Sequence, residues 1–159
     1  MSLLVGLGAA CGERSDPPEP SDPDPIARVR DDDRAMNTAI AEARAHLDVF
    51  DRALSAAEPG RVFTVKKAFP TRDGREHIWV TDVKPAAGGF RGRIDSDPRD
   101  VAGIHYGDEH FVARSEVTDW LISDEQGRIW GGYTMRVLLS SLPPEIRRAR
   151  EAALQPLPK

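Results

Sequence analysis

DWLISDEQGRIWGGYTMR, residues 119–136, places two short apolar runs on either side of a polar turn. The turn at residues 124–127 contains the aspartate and the late glycine that a four-residue hairpin loop requires. The two runs therefore predict a β-hairpin. Gly131 and Gly132 then interrupt the alternation, and a helix-like segment follows. Nothing in this stretch is a reaction signature, so it indicates an architecture rather than a chemistry.

Four segments upstream of the hairpin also alternate as strands do. In the clearest of them, Ile78 and Val80 are predicted to face one side of a sheet while Trp79 and Val83 face the other. Each of the four segments has a turn-forming Gly, Pro or Asp near at least one end, and they span residues 62–69, 76–83, 90–94 and 109–113. With the hairpin, they predict an antiparallel sheet or small barrel of about five to six strands.

Helical periodicity brackets the predicted sheet. Apolar residues recur every three or four positions from Met36 to Leu54, Asp33 can cap the start, and Pro59 follows the end. Beyond the hairpin, residues 134–139 and 144–150 favour short helices. The predicted fold class is therefore α+β, in which an N-terminal amphipathic helix packs on the sheet and short helices end the chain.

The first 32 residues differ in composition from the rest of the chain. A short apolar run ends in small residues directly before Cys11, the only cysteine, and resembles a bacterial lipoprotein signal. The match departs from the usual pattern because Gly8 occupies the place of a leucine and no Lys or Arg precedes Cys11. A start codon further upstream would explain the missing basic residues. Residues 12–32 are rich in Pro and Asp and cannot bury enough apolar surface to fold, which predicts a disordered tether.

The chain is thus predicted to have four parts: a lipoprotein signal over residues 1–11, the tether over 12–32, a single α+β domain over 33–150 and a frayed tail over 151–159. Lipid on Cys11 would anchor the domain to a bacterial membrane, on the periplasmic or extracellular face of the cell envelope. A cytoplasmic location is the alternative.

Composition and spacing argue against several classes of function. A net charge of −4, with arginines scattered along the chain, lacks the basic patch typical of nucleic-acid binding. One cysteine leaves no disulfide and no cysteine-based metal site, and His77, His105 and His110 do not have the spacing of a zinc motif. Gly131 and Gly132 are not followed by the lysine of a phosphate loop. We therefore predict no metal and no cofactor.

Several separate motifs occur together in the order found in a known family. They are Lys66, Glu76–Val80, Phe90–Gly92, Asp97–Pro98, Gly107–Asp108, Asp119–Trp120 and Gly131–Arg136. On these motifs, residues 36–140 resemble the YegJ-like family of bacterial domains of unknown function, DUF2314. The resemblance implies a small α+β domain. It brings no established reaction, cofactor or catalytic residue to carry over to this chain.

An acid–base pair is the simplest catalytic arrangement that the sequence allows. Glu76 and His77 are adjacent on a predicted strand, so their side chains point to opposite faces and cannot act together. His77 or His110 could instead meet Asp119 from another strand and form a base with its orienting carboxylate, as in a small hydrolase. The commoner role of a strand histidine is packing or partial exposure.

The paired glycines mark the best candidate for a ligand or partner site. Glycine lets another backbone or an aromatic ring come close, so a ligand could approach here, although a purely structural turn is the alternative. The neighbouring aromatic residues could line a groove or fill the core. The candidate groove, with an aromatic floor and a polar rim, comprises Asp119, Trp130, Gly131, Gly132, Tyr133 and Arg136.

Together these features predict an uncharacterised bacterial lipoprotein that carries a non-enzymatic binding or interaction module. Its partners would be the membrane, through the lipid, and an unknown protein or small-molecule ligand. One alternative is a hydrolase that uses His77 or His110 with Asp119. The other is an intracellular immunity-type protein partner, which requires that residues 1–11 are not a signal.

Overall fold

The structure, a computed structural model, describes residues 33–158. The predicted signal with Cys11 and the predicted tether lie outside these residues. The described part is an α+β domain with one antiparallel sheet, as predicted. Its elements are α1 (Arg34–Ala45), α2 (Leu47–Ala56), β1 (Arg61–Thr71), β2 (Gly74–Ala86), β3 (Gly89–Ile94), β4 (Glu109–Ala113), β5 (Val117–Asp124), β6 (Ile129–Gly131), α3 (Tyr133–Leu138) and α4 (Pro144–Ala153), with 3₁₀ turns at Arg114–Glu116 and Leu139–Ser141.

The predicted N-terminal helix is two helices that meet at His46. Asp33 caps the first one, since its carboxylate accepts a hydrogen bond from the Met36 N–H at 3.0 Å. At the junction the His46 N–H donates to the Glu42 carbonyl, and the ring Nδ1 lies 3.0 Å from the same oxygen. The change of direction lets both helices bury an apolar face. The second helix ends at Ala56, and Ala57 caps it in a left-handed conformation.

The strands are ordered β4-β3-β2-β1-β5-β6, and every neighbouring pair is antiparallel. Since three strands separate β4 from β5, these two run in the same direction, yet only Arg114–Glu116 connects them. In a flat sheet they would lie about 19 Å apart, or four strand spacings. Four residues span at most roughly 14 Å. The sheet must therefore curl, so that residues 109–124 behave as one bent strand that pairs first with β3 and then with β1.

The curled sheet is open rather than closed into a barrel. Residues 68–71 of β1 pair with β2 alone, and β4 pairs with β3 alone, so no backbone ladder joins β1 to β4 within residues 33–158. We call the gap between β4 and residues 68–71, which no backbone hydrogen bonds bridge, the seam. Side chains cross it, because the rings of Phe69 and His110 lie 5.0 Å apart. That contact requires the face carrying both rings to be concave.

The concave face holds the hydrophobic core. Phe50 of α2 is fully buried there, with its ring 5.7 Å from Phe63, 5.5 Å from Phe90 and 5.7 Å from Trp120. Such tilted and edge-to-face contacts are the favoured geometries of aromatic pairs. The indole N–H of Trp120 donates to the Ala43 carbonyl at 2.8 Å, which satisfies its one polar atom and ties β5 to α1.

One sheet prediction was wrong, because β2 does not alternate along its whole length. Asp82 adopts a positive φ of 51°, and the register with β3 shifts between Thr81 and Lys84. This bulge reverses the side on which the following residues point. Val83, only 3% exposed, therefore joins Ile78 in the core instead of sharing the face of Trp79.

The helices also hold the bent strand near the seam. The Nε of Arg44 on α1 donates to the Val117 carbonyl at 2.8 Å, and the guanidinium of Arg114 binds both oxygens of Asp51 on α2, at 2.8 and 2.6 Å. These contacts bring α1 and α2 onto the turn between β4 and β5.

We expect Asp51→Ala to lower the free energy of unfolding by only about 0.5–1 kcal/mol, because the Asp51–Arg114 pair is partly exposed to solvent. Asp48→Ala removes an ion pair with Arg52 on the same helix and serves as the control, with an expected loss smaller than that of Asp51→Ala because both side chains are more exposed. Urea unfolding followed by tryptophan fluorescence measures both. A loss above about 2 kcal/mol for Asp51→Ala would contradict the assignment of a surface ion pair.

Candidate functional site

Polar side chains meet on the outer face of the sheet, opposite the core. Lys66 of β1 is in register with Trp79 of β2 on one side and with Asp119 of β5 on the other. Lys66 is only 8% exposed; its Nζ donates to Thr134 Oγ1 at 3.0 Å and lies 4.5 Å from the centre of a Trp79 ring. A cation over an indole ring is stabilised by the ring quadrupole. The sheet register thus creates a buried cationic centre that no local sequence pattern defines.

Asp119 is the acceptor at the centre of this cluster. It is fully buried, and its Oδ1 accepts the N–H groups of Trp120 and Tyr133 at 2.8 and 3.0 Å. Its Oδ2 accepts both the N–H and the Oγ1 of Thr134, at 2.8 and 2.6 Å. A carboxylate has about four acceptor positions, so the chain itself fills them. Asp119 therefore caps the start of α3 from the neighbouring strand.

The charge of Asp119 is set by opposing effects. Burial raises the pKa of the carboxyl group above its ordinary value, although the hydrogen bond from Thr134 and the positive charge of Lys66 oppose the rise. A buried carboxylate of this kind depends on its partners, because removing one leaves an uncompensated charge in a poorly solvated site.

The two candidate histidines lie on different faces of the sheet. The Nδ1 of His77 is 3.2 Å from Thr118 Oγ1, which itself donates to the Lys66 carbonyl. His110 is on the concave face, where its Nε2 is 3.4 Å from Lys67 Nζ. The structure therefore does not bring His110 to Asp119. It places His77 on the same face as Lys66 and Trp79, where its ring contacts Thr118.

Gly131 is a point of close approach within the protein. A Cβ atom there would lie 2.4 Å from the Trp120 carbonyl oxygen and 2.6 Å from the Trp120 ring. Its φ is 81°, and Gly132 follows with a φ of 67°, so both occupy the left-handed region that disfavours side chains. The paired glycines thus let the chain pass over the Trp120 ring and turn directly into α3.

Tyr133 and Arg136 are also engaged inside the protein. Tyr133 is 3% exposed, and its ring stacks on His46 at 5.9 Å and meets Trp120 edge-on at 5.6 Å. Burial, followed by the charge of Asp119, raises the pKa of Tyr133 to about 12. Arg136 donates to the carbonyls of Gly131 and Gln155, at 3.1 and 2.6 Å, which ties α3 to the end of the chain.

Trp130, the remaining residue of the candidate groove, lies half-buried with two guanidinium groups close to its ring. Arg61 lies 4.8 Å and Arg128 lies 5.4 Å from the ring centre. Each arginine is also paired with a carboxylate, Glu58 and Asp124 respectively. Five of the six groove residues therefore form an internal junction centred on Asp119. The sixth, Trp130, lies beside this junction and contacts Arg61 and Arg128.

Sequence reasoning missed Lys66 and Thr134 as members of this site. Little in the sequence signals Lys66, because it shares the strand parity of Thr64 on the face opposite the apolar Phe63 and Val65, where a lysine is ordinarily exposed. The partner could not be identified without the register.

Within residues 33–158, no three His, Cys, Asp or Glu side chains are grouped so that they could hold a metal ion. No helix in this part of the chain is long and apolar enough to cross a membrane.

Comparison with known proteins matches the chain to a bacterial family. A family model described as "Uncharacterized protein conserved in bacteria (DUF2314)" matches residues 33–154. The chain is 34% identical over 114 residues to "Uncharacterized protein YegJ" of Escherichia coli (strain K12), and the match covers 72% of this chain and 73% of that protein. No solved structure matches the chain.

Proposed function

The chain belongs to the DUF2314 family of bacterial proteins, and from that premise we propose that it is a non-enzymatic interaction module held at the bacterial cell envelope by lipid on Cys11. The membrane would be one partner, through the lipid, and a protein or small-molecule ligand the other. The first part of the proposal rests on the site, and the second on the sequence around Cys11.

The observation that carries the interaction module is the state of Asp119. All of its acceptor positions are occupied by the N–H and O–H groups of Trp120, Tyr133 and Thr134. A catalytic carboxylate must orient a base or act on substrate, and this one instead fixes the start of a helix. The cluster supports a rigid surface better than it supports a hydrolytic centre.

The surface that this scaffold presents combines aromatic residues with arginines, of which Arg91 lies 3.7 Å from a carboxylate oxygen of Glu109. His77 and Trp79 are half-buried on the outer face. Arg93 of β3 is in register with Thr81 of β2, which places it on the same face, and Arg91 is in register with Phe111 of β4. Aromatic residues and arginine are enriched at protein interfaces, because they offer large contact areas with few flexible bonds. We call His77, Trp79, Arg91, Arg93 and Phe111 the outer-face patch, and we assign partner binding to it.

The membrane part of the proposal is tested by following the N-terminus. The gene, expressed with its upstream genomic sequence, is expected to give a membrane-bound protein whose mass includes lipid at Cys11. Cys11→Ser is expected to abolish both the added mass and the membrane association, while Ser21→Ala, in the adjacent predicted tether, retains them. An unmodified chain that fractionates with soluble proteins would remove the envelope from the proposal and favour the intracellular immunity-type alternative.

The outer-face patch is tested by photocrosslinking in cells. A photoreactive amino acid at position 79 is expected to give a discrete adduct, and the same residue at exposed Ile146 on α4 serves as the control. Substituting Arg91 and Arg93 with glutamate is expected to reduce the adduct at position 79 on the order of tenfold, the scale of an interface hot spot. Equal labelling from positions 79 and 146, or none from position 79, would count against the patch.

A further inference from the structure

The seam is held by side chains rather than by a backbone ladder. Lys67 of β1 reaches across it, with its Nζ 2.9 Å from each carboxylate oxygen of Glu116, which lies in the turn after β4. Glu116 Oε2 also accepts the Ala113 N–H at 3.0 Å. The same Lys67 Nζ is 3.4 Å from His110 Nε2 on β4. One lysine therefore connects β1 to His110 near the start of β4 and to the turn that follows this strand.

The outer edge of β4 has little else to hold it. The backbone groups of Asp108 and Arg114 form hydrogen bonds on the side of β4 that faces β3. Because hydrogen-bonded positions alternate along an antiparallel strand, the backbone groups of His110 and Val112 also bond toward β3. The backbone groups of Glu109, Phe111 and Ala113 then point toward the seam, and within residues 33–158 only the Ala113 N–H has a hydrogen-bond partner there. Edge strands with unpaired backbone groups are the parts of a sheet that separate most easily.

The contact between Lys67 and His110 depends on the charge of the imidazole. An ammonium group can only donate, so a favourable contact needs Nε2 to be the unprotonated nitrogen. Burial lowers the pKa of His110 from its ordinary value of 6.5, the charge of Lys67 lowers it further, and Glu116 acts in the opposite direction. On β3 the residue in register is Gly92, which adds no charged group. A protonated His110 would place two cations side by side.

We propose that the seam is an acid-sensitive latch, in which protonation of His110 beside Lys67 releases β4 from β1. Far above pH 6.5 the imidazole is neutral in both the closed and the open arrangement, so the latch stays closed. As the pH falls below that value the open form takes up the proton first, because its imidazole is free of Lys67 and of burial. Acid therefore shifts the equilibrium toward the open form.

Hydrogen exchange tests the latch in the full-length chain, with each amide corrected for its intrinsic rate. Between about pH 7.5 and about pH 5, the amides of β4 are expected to exchange on the order of fivefold faster relative to those of β2, the scale of one partly exposed charge interaction. His110→Gln removes the titrating group and should abolish the change. His105→Gln removes a histidine whose side chain is 77% exposed, and should preserve it.

A second measurement, on the wild-type protein, is needed because the His110→Gln substitution could itself loosen the seam and so hide the pH response. In the wild-type protein, the ring resonances of His110 should titrate below pH 6.5, and the amide shifts of β4 should follow the same midpoint. The latch is overturned if His110→Gln retains the wild-type pH response, if His110 titrates at or above 6.5, or if acid accelerates exchange equally in every element.

Discussion

Asp119→Asn is expected to lower the free energy of unfolding by about 3–5 kcal/mol, the usual cost of breaking a buried charged pair. Asparagine keeps the shape of the side chain but replaces one acceptor oxygen with a donor. That donor would face N–H or O–H groups of Tyr133 and Thr134, which then lose an acceptor. The neighbouring Lys66 would also lose the negative charge that offsets its own burial.

Urea unfolding of the full chain measures this loss, with Asp73→Asn as the matched control. Asp73 is exposed at the β1–β2 turn, so its substitution should change stability by less than about 0.5 kcal/mol. Unfolding is followed by tryptophan fluorescence, to which the buried Trp120 beside the altered position contributes. A loss below about 1 kcal/mol for Asp119→Asn would show that the four hydrogen bonds are replaceable, and would reopen a catalytic role for the carboxylate.

Gly131→Ala is expected to cost about 2–5 kcal/mol, because it adds two penalties. A residue with a side chain is strained at positive φ, by about 1–3 kcal/mol, and the new Cβ would overlap the Trp120 carbonyl and ring, which adds about 1–3 kcal/mol of overpacking. The Trp120 ring contacts Phe50 in the core, so it has little freedom to move away.

Gly127→Ala separates these two penalties. Gly127 lies in the same hairpin with a φ of 74°, and a Cβ there would meet no atom within 4 Å. It should therefore cost only about 1 kcal/mol, and the difference between the two variants measures the contact with Trp120. If both variants lose the same stability and only Gly131→Ala weakens partner crosslinking, the glycine serves a ligand rather than the fold.

The sequence was a good guide to local elements and a poor one to their junctions. The alternation of apolar and polar residues predicted β1 and the hairpin strands correctly, because one face of each strand is buried. The break at His46 was missed since Ala43 and Leu47 keep the helical spacing across it. The bulge at Asp82 was missed because aspartate only tolerates the left-handed conformation and does not require it.

The candidate site was only partly predictable for a different reason. Asp119 and the residues after Gly132 are close in sequence to the hairpin, so their association could be anticipated. Lys66 reaches the same site through the pairing of β1 with β5, which joins distant parts of the chain. Register of that kind depends on the whole sheet, so a single strand's pattern does not specify it.

The bent strand also imposes an order on folding during synthesis. Strands β1 to β4 form a meander of neighbours, but β1 receives its second partner only when β5 appears, as the 52 positions between Lys66 and Thr118 illustrate. Until the ribosome has released that later segment, the nascent chain carries β1 with one open edge, which is a hazard for association with other chains. Pro70 lies on that edge and has no N–H to offer, so part of β1 resists adding a foreign strand while it waits.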